Sequence, residues 1–474
     1  MYATAWTETA QMRLTVADIV AATGASLPAG CTPLAAFSGV GTDSRTLDPG
    51  ELFVALRGEH FDGHEFVAAA LAGGAEAALV DCVVPGVDGS RLLVVGDTLR
   101  ALGDLAALMR RRSSMRVVAV TGSNGKTTTK EMIAAICEHA CAPRHKVLKT
   151  QGNLNNLIGL PLTLLRADGD EAVGVLELGM NQPGEIARLT EIARPDFAVV
   201  TNVGHAHLER LGSLAGVAEE KGELYAGLPN DAVIAVNQDD EWVVRIAARF
   251  RGRRVTFGRD GDVQAAAVRN FGVDGMGFDL VIDDERRPVR LPFVGVHNVA
   301  NALAAAALAH AMGIGLDAIV AGLSRRSAAQ MRMQVIRLAN GVTVINDAYN
   351  ANPESTEAAL RAVQLLPGRS VAVLGDMWEL GSGGRRAHRE IGARVASLGF
   401  DELFVVGALA DEIEAGALEV GMPAAHVHVL ASNAAAAEAV RAAWRGGDVV
   451  LVKGSRGMRM EEIVCALEDA GRSP

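Results

Sequence analysis

The segment RVVAVTGSNGKTTTKEM, residues 116–132, has the residue types and spacing of a phosphate-binding loop. Gly122 and Gly125 permit a tight turn whose backbone N–H groups can face an anion at a helix N-terminus. Lys126 would reach the β and γ phosphates, and Thr127 would place its hydroxyl on Mg²⁺. The first glycine of GxxxxGK is replaced by Val120, so this loop is a variant. The predicted nucleotide-binding residues of the loop are Thr121, Gly122, Ser123, Asn124, Gly125, Lys126, Thr127 and Thr128.

Two further strand-like runs end in residues that can bind a metal ion. Glu177 ends VGVLE, and His205 follows VVTNVG. The carboxyl ends of parallel strands meet in the crevice where ligands bind, so both side chains are expected near the phosphates. A carboxylate and an imidazole there would suit a Mg²⁺ ion that bridges protein and nucleotide. The residues alone leave open a solvated carboxylate at Glu177 and a core or loop histidine at His205.

These residues must be positioned by alternating strands and helices, which predict an α/β fold with a parallel sheet. The length of 474 residues favours about three domains. We place boundaries that give a small mixed α/β domain at 1–112, a central phosphate-loop domain with a parallel sheet at 113–329, and a Rossmann-like domain at 330–474. Residues 255–295 break the rhythm with short alternating segments, which suggest a small β insertion.

Composition excludes several classes of protein. A net charge of -11 argues against bulk binding to nucleic acid or anionic lipid. The cysteines Cys31, Cys82, Cys137, Cys141 and Cys465 form no metal-binding spacing, and we interpret them as reduced thiols. Residues 298–323 are alanine-rich and apolar but carry polar interruptions, so they favour a packed helix pair over a membrane span. No secretory signal begins the sequence, and we expect a cytoplasmic monomer.

The loop TGSNGKTT resembles that of the Mur ligases, and motifs along the whole chain extend the resemblance. It implies Mg²⁺ ligation by Thr127, Glu177 and His205, with two ions expected. It also implies that Lys221, in EEKGELY, is carbamylated by CO₂, because a carbamate can coordinate a cation that an ammonium group would repel. From the sequence alone Lys221 would be a surface lysine. The implied catalytic residues are Lys126, Lys221, His205 and Arg332.

The resemblance also implies how ATP is held. Asn298 and Asn301 in HNVANALAA would recognise adenine, with helix capping as the alternative. Arg332 would reach the γ-phosphate, although Met331 stands where relatives have glycine. Asp347 and Tyr349 would face ATP at the end of a strand in the third domain.

The strings NDAYNANPES and LGDMWELG resemble the Mur ligases that add D-alanyl-D-alanine to UDP-N-acetylmuramoyl-tripeptide, and the diaminopimelate selector DNPR is absent. Thr42, Ser44 and Arg45 would meet the sugar nucleotide, with a plain turn as the alternative. In TQGNLNNLIGLP, Leu157 replaces the polar residue that is usual in relatives. The other implied substrate contacts are Asn153, Asn155, Asn156, Asn350, Asn352, Asp376, Glu379, Lys453, Ser455 and Arg456.

The implied reaction is ATP-dependent amide ligation through an acyl phosphate, and it requires domain closure. The nearest alternatives are another Mur ligase or a folylpolyglutamate synthetase relative. A nucleotide-dependent switch is a third possibility, but the chain lacks the NKxD string for guanine recognition.

Overall fold

The computed structural model describes residues 13–26, 35–58, 61–205, 208–325 and 330–471. Within them the chain builds three sheet-based units in sequence order, with sheets of four, nine and six strands and an additional two-stranded pair. Cys31 lies outside the described residues. Short 3-10 turns cover Gly63–Phe66, Gly89–Arg91, Gly272–Asp274, Gly381–Gly383, Ala424–His426 and Arg456–Met458.

The first unit is a small mixed α/β structure. Its described strands are β1 (Leu14–Thr15), β2 (Ala36–Phe37), β3 (Val40–Gly41), β4 (Leu52–Val54), β5 (Ala77–Val80) and β6 (Leu92–Val94). Its described helices are α1 (Val16–Thr23), α2 (Val67–Ala72) and α3 (Thr98–Arg112). Strands β3 to β6 pair in parallel, and β1 and β2 form a separate antiparallel pair.

Helix α3 docks the first unit onto the second. Arg110 is 8% exposed, and its guanidinium donates to the carbonyl of Ala193 at 2.9 Å and to Asp196 Oδ2 at 2.8 Å. Burial lowers the pKa of Arg110, and the negative charge of Asp196 opposes that shift. The predicted boundary near residue 113 lies between α3 and the first strand of the central unit.

The central unit contains the phosphate-loop segment. Its described strands are β7 (Arg116–Thr121), β8 (Lys146–Lys149), β9 (Glu171–Glu177), β10 (Phe197–Val200), β11 (Val233–Asn237), β12 (Arg253–Phe257), β13 (Val263–Asn270), β14 (Met276–Ile282) and β15 (Glu285–Leu291). Its described helices are α4 (Lys126–Cys141), α5 (Gly159–Leu165), α6 (Glu185–Ala193), α7 (Leu208–Leu211), α8 (Leu214–Ala226), α9 (Glu241–Ala247), α10 (His297–Ala311) and α11 (Leu316–Leu323).

The central sheet has the order β15-β14-β13-β12-β11-β10-β7-β9-β8 within the described chain. Pairing is parallel from β8 across to β13, and antiparallel between β13, β14 and β15. The predicted β insertion is therefore an extension of the central sheet itself. Strand β7 lies between β9 and β10 with Val117, Val118, Ala119 and Val120 fully buried, as expected for a parallel strand covered on both faces.

The alanine-rich stretch forms the two helices α10 and α11, as predicted. Residues Ala302 to Ala309 on α10 are at most 5% exposed, and they pack against α4 and the sheet in one apolar core. Cys137 belongs to the same core, and burial raises the pKa of its thiol to about 12. Among the described helices, none is both long enough and apolar enough to cross a bilayer.

The third unit is a six-stranded sheet with helices on both faces. Its described strands are β16 (Gln334–Arg337), β17 (Thr343–Asp347), β18 (Ser370–Gly375), β19 (Glu402–Val406), β20 (Val427–Leu430) and β21 (Val449–Lys453). Its described helices are α12 (Pro353–Gln364), α13 (Gly384–Leu398), α14 (Ala410–Glu419), α15 (Asn433–Ala443) and α16 (Glu461–Gly471). The order is β16-β17-β21-β18-β19-β20, and only β16 is antiparallel in this described sheet. The predicted α/β class with a Rossmann-like third unit is confirmed.

Candidate active site

A cavity of about 690 Å³ lies between the central and third units, at the carboxyl ends of β7, β9, β10, β17 and β21. This is the position at which open parallel sheets bind ligands. Predicted site residues from both units line it together: Ser123, Asn124, Gly125, Lys126, Thr128, Asn153, Asn155, Asn156, Glu177, His205, Lys221, Asn298, Asn301, Arg332, Asp347, Tyr349, Asn350, Asn352, Lys453 and Arg456.

The phosphate loop links the end of β7 to the start of α4. Gly122 and Gly125 have φ angles of +148° and +80°, in the region that favours glycine. A Cβ at Gly125 would also collide with the side chain of Asn301. Lys126 Nζ donates to the carbonyl of Gly122 at 2.7 Å, and burial lowers the pKa of Lys126. The loop is thus shaped for a close anion at the N-terminus of α4.

Asn202 holds this loop in place, although the sequence analysis did not select it. Its Oδ1 accepts from the backbone N–H of Asn124 at 2.9 Å, and its Nδ2 donates to the Asn124 carbonyl at 3.0 Å. The Asn202 carbonyl accepts from the N–H of Ser123 at 3.0 Å. Asn202 directly follows the strand run in VVTN, and this strand-end position is the signal that could have identified it.

Glu177 is the centre of an oxygen-rich group. It is 2% exposed, and its two carboxylate oxygens accept from Thr127 Oγ1 and Asn155 Nδ2, each at 2.8 Å. A carboxylate, a hydroxyl and an amide that meet beside a phosphate loop are the donor types that Mg²⁺ prefers. Thr127 and Glu177 therefore fit a magnesium ion.

Lys221 on α8 lines the same cavity. It is 1% exposed, and no hydrogen bond or ion pair to its Nζ is found within the described chain. Burial and the nearby charge of Lys126 hold its pKa well below the usual value for lysine. A neutral amine is the form that reacts with CO₂, so the environment of Lys221 fits a carbamate.

His205 follows β10 and meets the third unit. Its Nδ1 contacts the Glu354 carboxylate, and its backbone N–H donates to Glu354 Oε1 at 2.8 Å. The side chain of His205 is 51% exposed. Glu354 lies in the first turn of α12 and was not predicted from the sequence. Nothing in the string NANPES indicates that its glutamate contacts His205, which lies 149 positions away in the chain.

Arg332 lies over the ring of Tyr349, with its guanidinium carbon 4.0 Å from the ring centre. Its Nε is buried and has no hydrogen-bond partner among the described residues. Met331, at the position where we expected glycine, adopts φ +56°, and its carbonyl accepts from the Tyr349 N–H at 3.2 Å. The left-handed backbone that suits glycine is thus present despite the side chain.

Lys453 and Asp347 form a largely buried ion pair at the ends of adjacent strands β21 and β17. Lys453 Nζ lies 2.5 Å from Asp347 Oδ2 and donates to the Asn350 carbonyl at 2.9 Å. Asp347 Oδ1 also accepts from the N–H of Met333 at 3.0 Å. This ion pair connects the ends of both strands to the segment that carries Arg332.

Asn298 and Asn301 are both buried in the first two turns of α10, and neither caps a helix. Asn301 Nδ2 donates to Asn298 Oδ1 at 3.0 Å, and Asn298 Nδ2 donates to the carbonyl of Val294 at 2.8 Å. The capping alternative is therefore excluded, since Val296 precedes the helix without a side-chain bond.

Three family models match the chain in order: "Mur ligase family, catalytic domain" over residues 36–110, "Mur ligase middle domain" over 120–309 and "Mur ligase, glutamate ligase domain" over 331–456. A UDP-N-acetylmuramoyl-tripeptide–D-alanyl-D-alanine ligase of Escherichia coli is 42% identical over 91% of this chain and 94% of its own length. The chain belongs to the Mur ligase family. The equivalent ligase of Bacillus subtilis is 39% identical over 90% of this chain and 92% of its own.

Solved structures of Mur ligases have the same fold. MurF from Acinetobacter baumannii superposes with a TM-score of 0.89 at 34% identity and covers 97% of this chain and 100% of its own. MurF ligase from Thermotoga maritima in complex with ADP gives a TM-score of 0.81 at 30% identity, over 91% of this chain and 97% of its own.

Some predicted residues of this Mur ligase lie outside the cavity lining. Asp376 accepts from the N–H groups of Ala408 and Leu409 at 2.8 and 3.0 Å, so its carboxylate holds a loop of the third unit. Ser455 Oγ accepts from the Trp378 N–H at 2.8 Å. Thr121 Oγ1 donates to the Leu178 carbonyl at 2.8 Å inside the sheet. Each of these three side chains makes an intramolecular hydrogen bond, and its expected contact with substrate or nucleotide stays a prediction.

Glu379 occupies an intermediate position. Its φ is +64°, and its backbone carbonyl accepts from the N–H of Glu209 at 3.2 Å, which links the third unit to α7. It does not line the cavity. Burial lowers the pKa of Lys126, and the negative charges of Glu177 and, to a smaller extent, Glu379 oppose that shift.

The residues of the first unit that we predicted to contact the sugar nucleotide do not all line the same cavity. Thr42 lines a second cavity of about 470 Å³ between the first and central units. Arg45 is exposed and pairs with Asp43 Oδ2 at 2.6 Å, and neither Arg45 nor Ser44 lines that cavity. The first cavity, between the central and third units, is also lined by residues that were not predicted from the sequence, among them Met180, Asn202, Trp242, His297, Met333 and Glu354.

Proposed function

We propose that this Mur ligase joins D-alanyl-D-alanine to UDP-N-acetylmuramoyl-tripeptide, with ATP as the energy source, and so forms the pentapeptide precursor of peptidoglycan. The observation that carries the proposal is the single cavity in which the phosphate loop, Glu177 and Lys221 face Arg332 of the third unit. The curated relatives in E. coli and B. subtilis bear the name of this reaction at 42% and 39% identity.

ATP binds with its phosphates on the loop that ends in Lys126 and Thr127. Supporting contacts come from the N–H groups at the start of α4, which favour an anion. Asn298, Asn301 and Tyr349 would contact the adenosine part of ATP. The relative from T. maritima was solved with ADP.

Thr127, Glu177, His205 and carbamylated Lys221 would hold two Mg²⁺ ions. The support is the oxygen-rich group around Glu177 together with the buried Lys221, which lines the same cavity. When bound, these ions would neutralise charge on the phosphates. His205 would add an imidazole ligand from the loop after β10.

The reaction needs activation, since a carboxylate is a poor electrophile. A carboxylate oxygen of the tripeptide attacks the γ-phosphorus of ATP, the bond to ADP breaks, and an acyl phosphate results. The amine of D-alanyl-D-alanine then attacks the acyl carbon, loses a proton, and releases inorganic phosphate. Lys126 and Arg332 would oppose the charge on the transferred phosphoryl oxygens.

Each of the three units would bind a different substrate. Residues 1–112 would hold the sugar nucleotide, residues 113–329 the ATP, and residues 330–474 the incoming dipeptide, near Asn350, Asn352, Lys453 and Arg456. Asn153, Asn155 and Asn156 would meet the tripeptide end. We further propose a cytoplasmic monomer.

The decisive experiment measures phosphate release by the full chain with ATP, Mg²⁺ and UDP-N-acetylmuramoyl-tripeptide. Release should require D-alanyl-D-alanine and should not occur with diaminopimelate or with a folate and glutamate pair. Lys126→Ala should lower the rate at least about 100-fold, because it removes a transition-state charge contact. Release without the dipeptide would support a nucleotide-dependent switch, and release with another acceptor would indicate a different ligase.

A further inference from the structure

The first turn of α12, in the third unit, contacts the end of β10 in the central unit. Glu354 Oε1 accepts from the backbone N–H of His205 at 2.8 Å and contacts its ring Nδ1. The carboxylate also packs against Gly204, where a Cβ would lie 3.4 Å from its carbon. A carboxylate in the first turn of a helix is favoured by the helix dipole. Glu354 is therefore held in place from its own side of the cleft.

This contact determines which nitrogen of His205 is available. When Nδ1 carries the proton and donates it to Glu354, Nε2 keeps its lone pair. Histidines that bind metals commonly donate their other ring N–H to a carboxylate, which fixes the ring and makes the coordinating nitrogen more basic. The pair His205 and Glu354 has this arrangement, but the carboxylate belongs to another unit of the protein.

We propose that Glu354 is a positioning residue that prepares His205 to bind Mg²⁺, so that the metal site is complete only when the third unit is closed on the central unit. The inference rests on the metal site of the proposed function. It gives the third unit a role in metal binding, in addition to its proposed contacts with nucleotide and dipeptide.

A second contact between the same two elements supports this coupling. Asn352, the residue directly before α12, donates from Nδ2 to Asn124 Oδ1 of the phosphate loop at 2.8 Å. Asn352 and Glu354 thus connect one helix end to the phosphate loop and to the predicted metal ligand. Glu354 Oε2 is buried without a hydrogen-bond partner among the described residues, so the carboxylate has remaining capacity as an acceptor on the cavity side.

The test measures Mn²⁺ binding to the full chain by electron paramagnetic resonance, in the presence of a non-hydrolysable ATP analogue. Glu354→Ala should weaken Mn²⁺ binding about 10-fold or more, the usual effect of losing such a partner. Glu354→Gln should restore part of that loss, because the amide oxygen can accept the same hydrogen bond. The matched control is Glu357→Ala, one turn along α12, where a carboxylate of similar exposure pairs with Arg361 and Arg394. It should bind Mn²⁺ like the unaltered protein.

A double-mutant comparison separates positioning from simple docking of the two units. In a His205→Ala background, Glu354→Ala should have no further effect on Mn²⁺ affinity, because it acts only through the imidazole. An equal loss in both backgrounds, or unchanged affinity in Glu354→Ala alone, would overturn the inference while leaving the metal site intact. Unchanged affinity in His205→Ala alone would overturn both.

Discussion

At the scale of single residues, Lys130 and Lys221 show how similar burial leads to different chemistry. Each is 1% exposed. Lys130 Nζ donates to the Thr150 carbonyl at 2.6 Å and pairs with Glu131 at 2.7 Å, so its charge is compensated. Lys221 Nζ has no such partner within the described chain, and an isolated buried cation is unfavourable. Its neutral form is favoured, and this form can add CO₂.

We predict that protein equilibrated with ¹³C-labelled CO₂ shows one carbamate signal by NMR, and that Lys221→Ala removes it. Lys149→Ala is the control and should keep the signal. Burial alone would lower the pKa of Lys149, but Glu131 and Glu138 raise it overall, so this lysine stays cationic. A signal that survives Lys221→Ala would place the carbamate elsewhere. Acetate should also partly restore ligase activity to Lys221→Ala if the carbamate acts as a metal ligand.

The predicted site residues that the structure brings together at the phosphate loop share one property. Lys126, Thr127 and Glu177 lie directly at strand ends or in a loop with a known physical function, so local pattern was sufficient. Asn202 obeys the same rule and was missed because asparagine after a strand is common in turns. Glu354 could not have been predicted, because its proposed role depends on a contact between residues distant in sequence. The hydrogen bonds that Asp376 accepts from Ala408 and Leu409 likewise depend on tertiary packing.

At the scale of elements, Lys130 connects α4 to the strand that carries Glu177. Thr150, whose carbonyl accepts from Lys130, uses its hydroxyl to accept from the Glu177 N–H at 2.9 Å. The phosphate-loop helix and the metal carboxylate therefore share one buried connection. The sequence predicted α4 and β9 from their apolar patterns but gave no reason for a lysine inside the helix.

We predict that Lys130→Met destabilises the central unit by about 1–3 kcal/mol, because it leaves the buried Thr150 carbonyl without this donor, whereas Glu131 keeps its pair with Lys149. Hydrogen exchange should accelerate in α4 and β9 but not in β18 of the third unit, and the Mg²⁺ concentration for half-maximal activity should rise. Lys146→Met is the matched control, because Lys146 forms an exposed pair with Asp168. Unchanged exchange in both variants would contradict a structural role for Lys130.

Strands β12 to β15 show that the sequence pattern alone was insufficient to predict strand pairing. Their short alternating runs predicted β structure correctly at residues 255–295, but pattern does not specify a partner strand. The structure joins them to β11, because β12 pairs in parallel with it across Val255 and Ala235, both buried. The chain thereby gains a wider sheet face, on which the alanine-rich α10 packs.

At the scale of the whole molecule, hydrogen bonds between described residues of the third and central units include Glu354 with His205, Asn352 with Asn124, and the Glu379 carbonyl with the Glu209 N–H. The first two involve a predicted metal ligand and a residue of the phosphate loop. Binding of nucleotide and closure of the third unit should therefore be coupled, as a ligase that must exclude water requires.

Asn352 allows that coupling to be tested without loss of fold. Its Oδ1 caps α12 by accepting from the Ser355 N–H at 2.8 Å, and aspartate caps a helix as well as asparagine. Asn352→Asp should therefore melt at the same temperature as the unaltered protein. It also places a negative charge against the loop that holds the triphosphate, so the KM for ATP should rise about tenfold, equivalent to 1.4 kcal/mol. Asn340→Asp makes the same chemical change before β17, at the opposite edge of the sheet, and should leave KM unchanged. An unaltered KM in Asn352→Asp would mean that α12 is not seated on the phosphate loop when ATP binds.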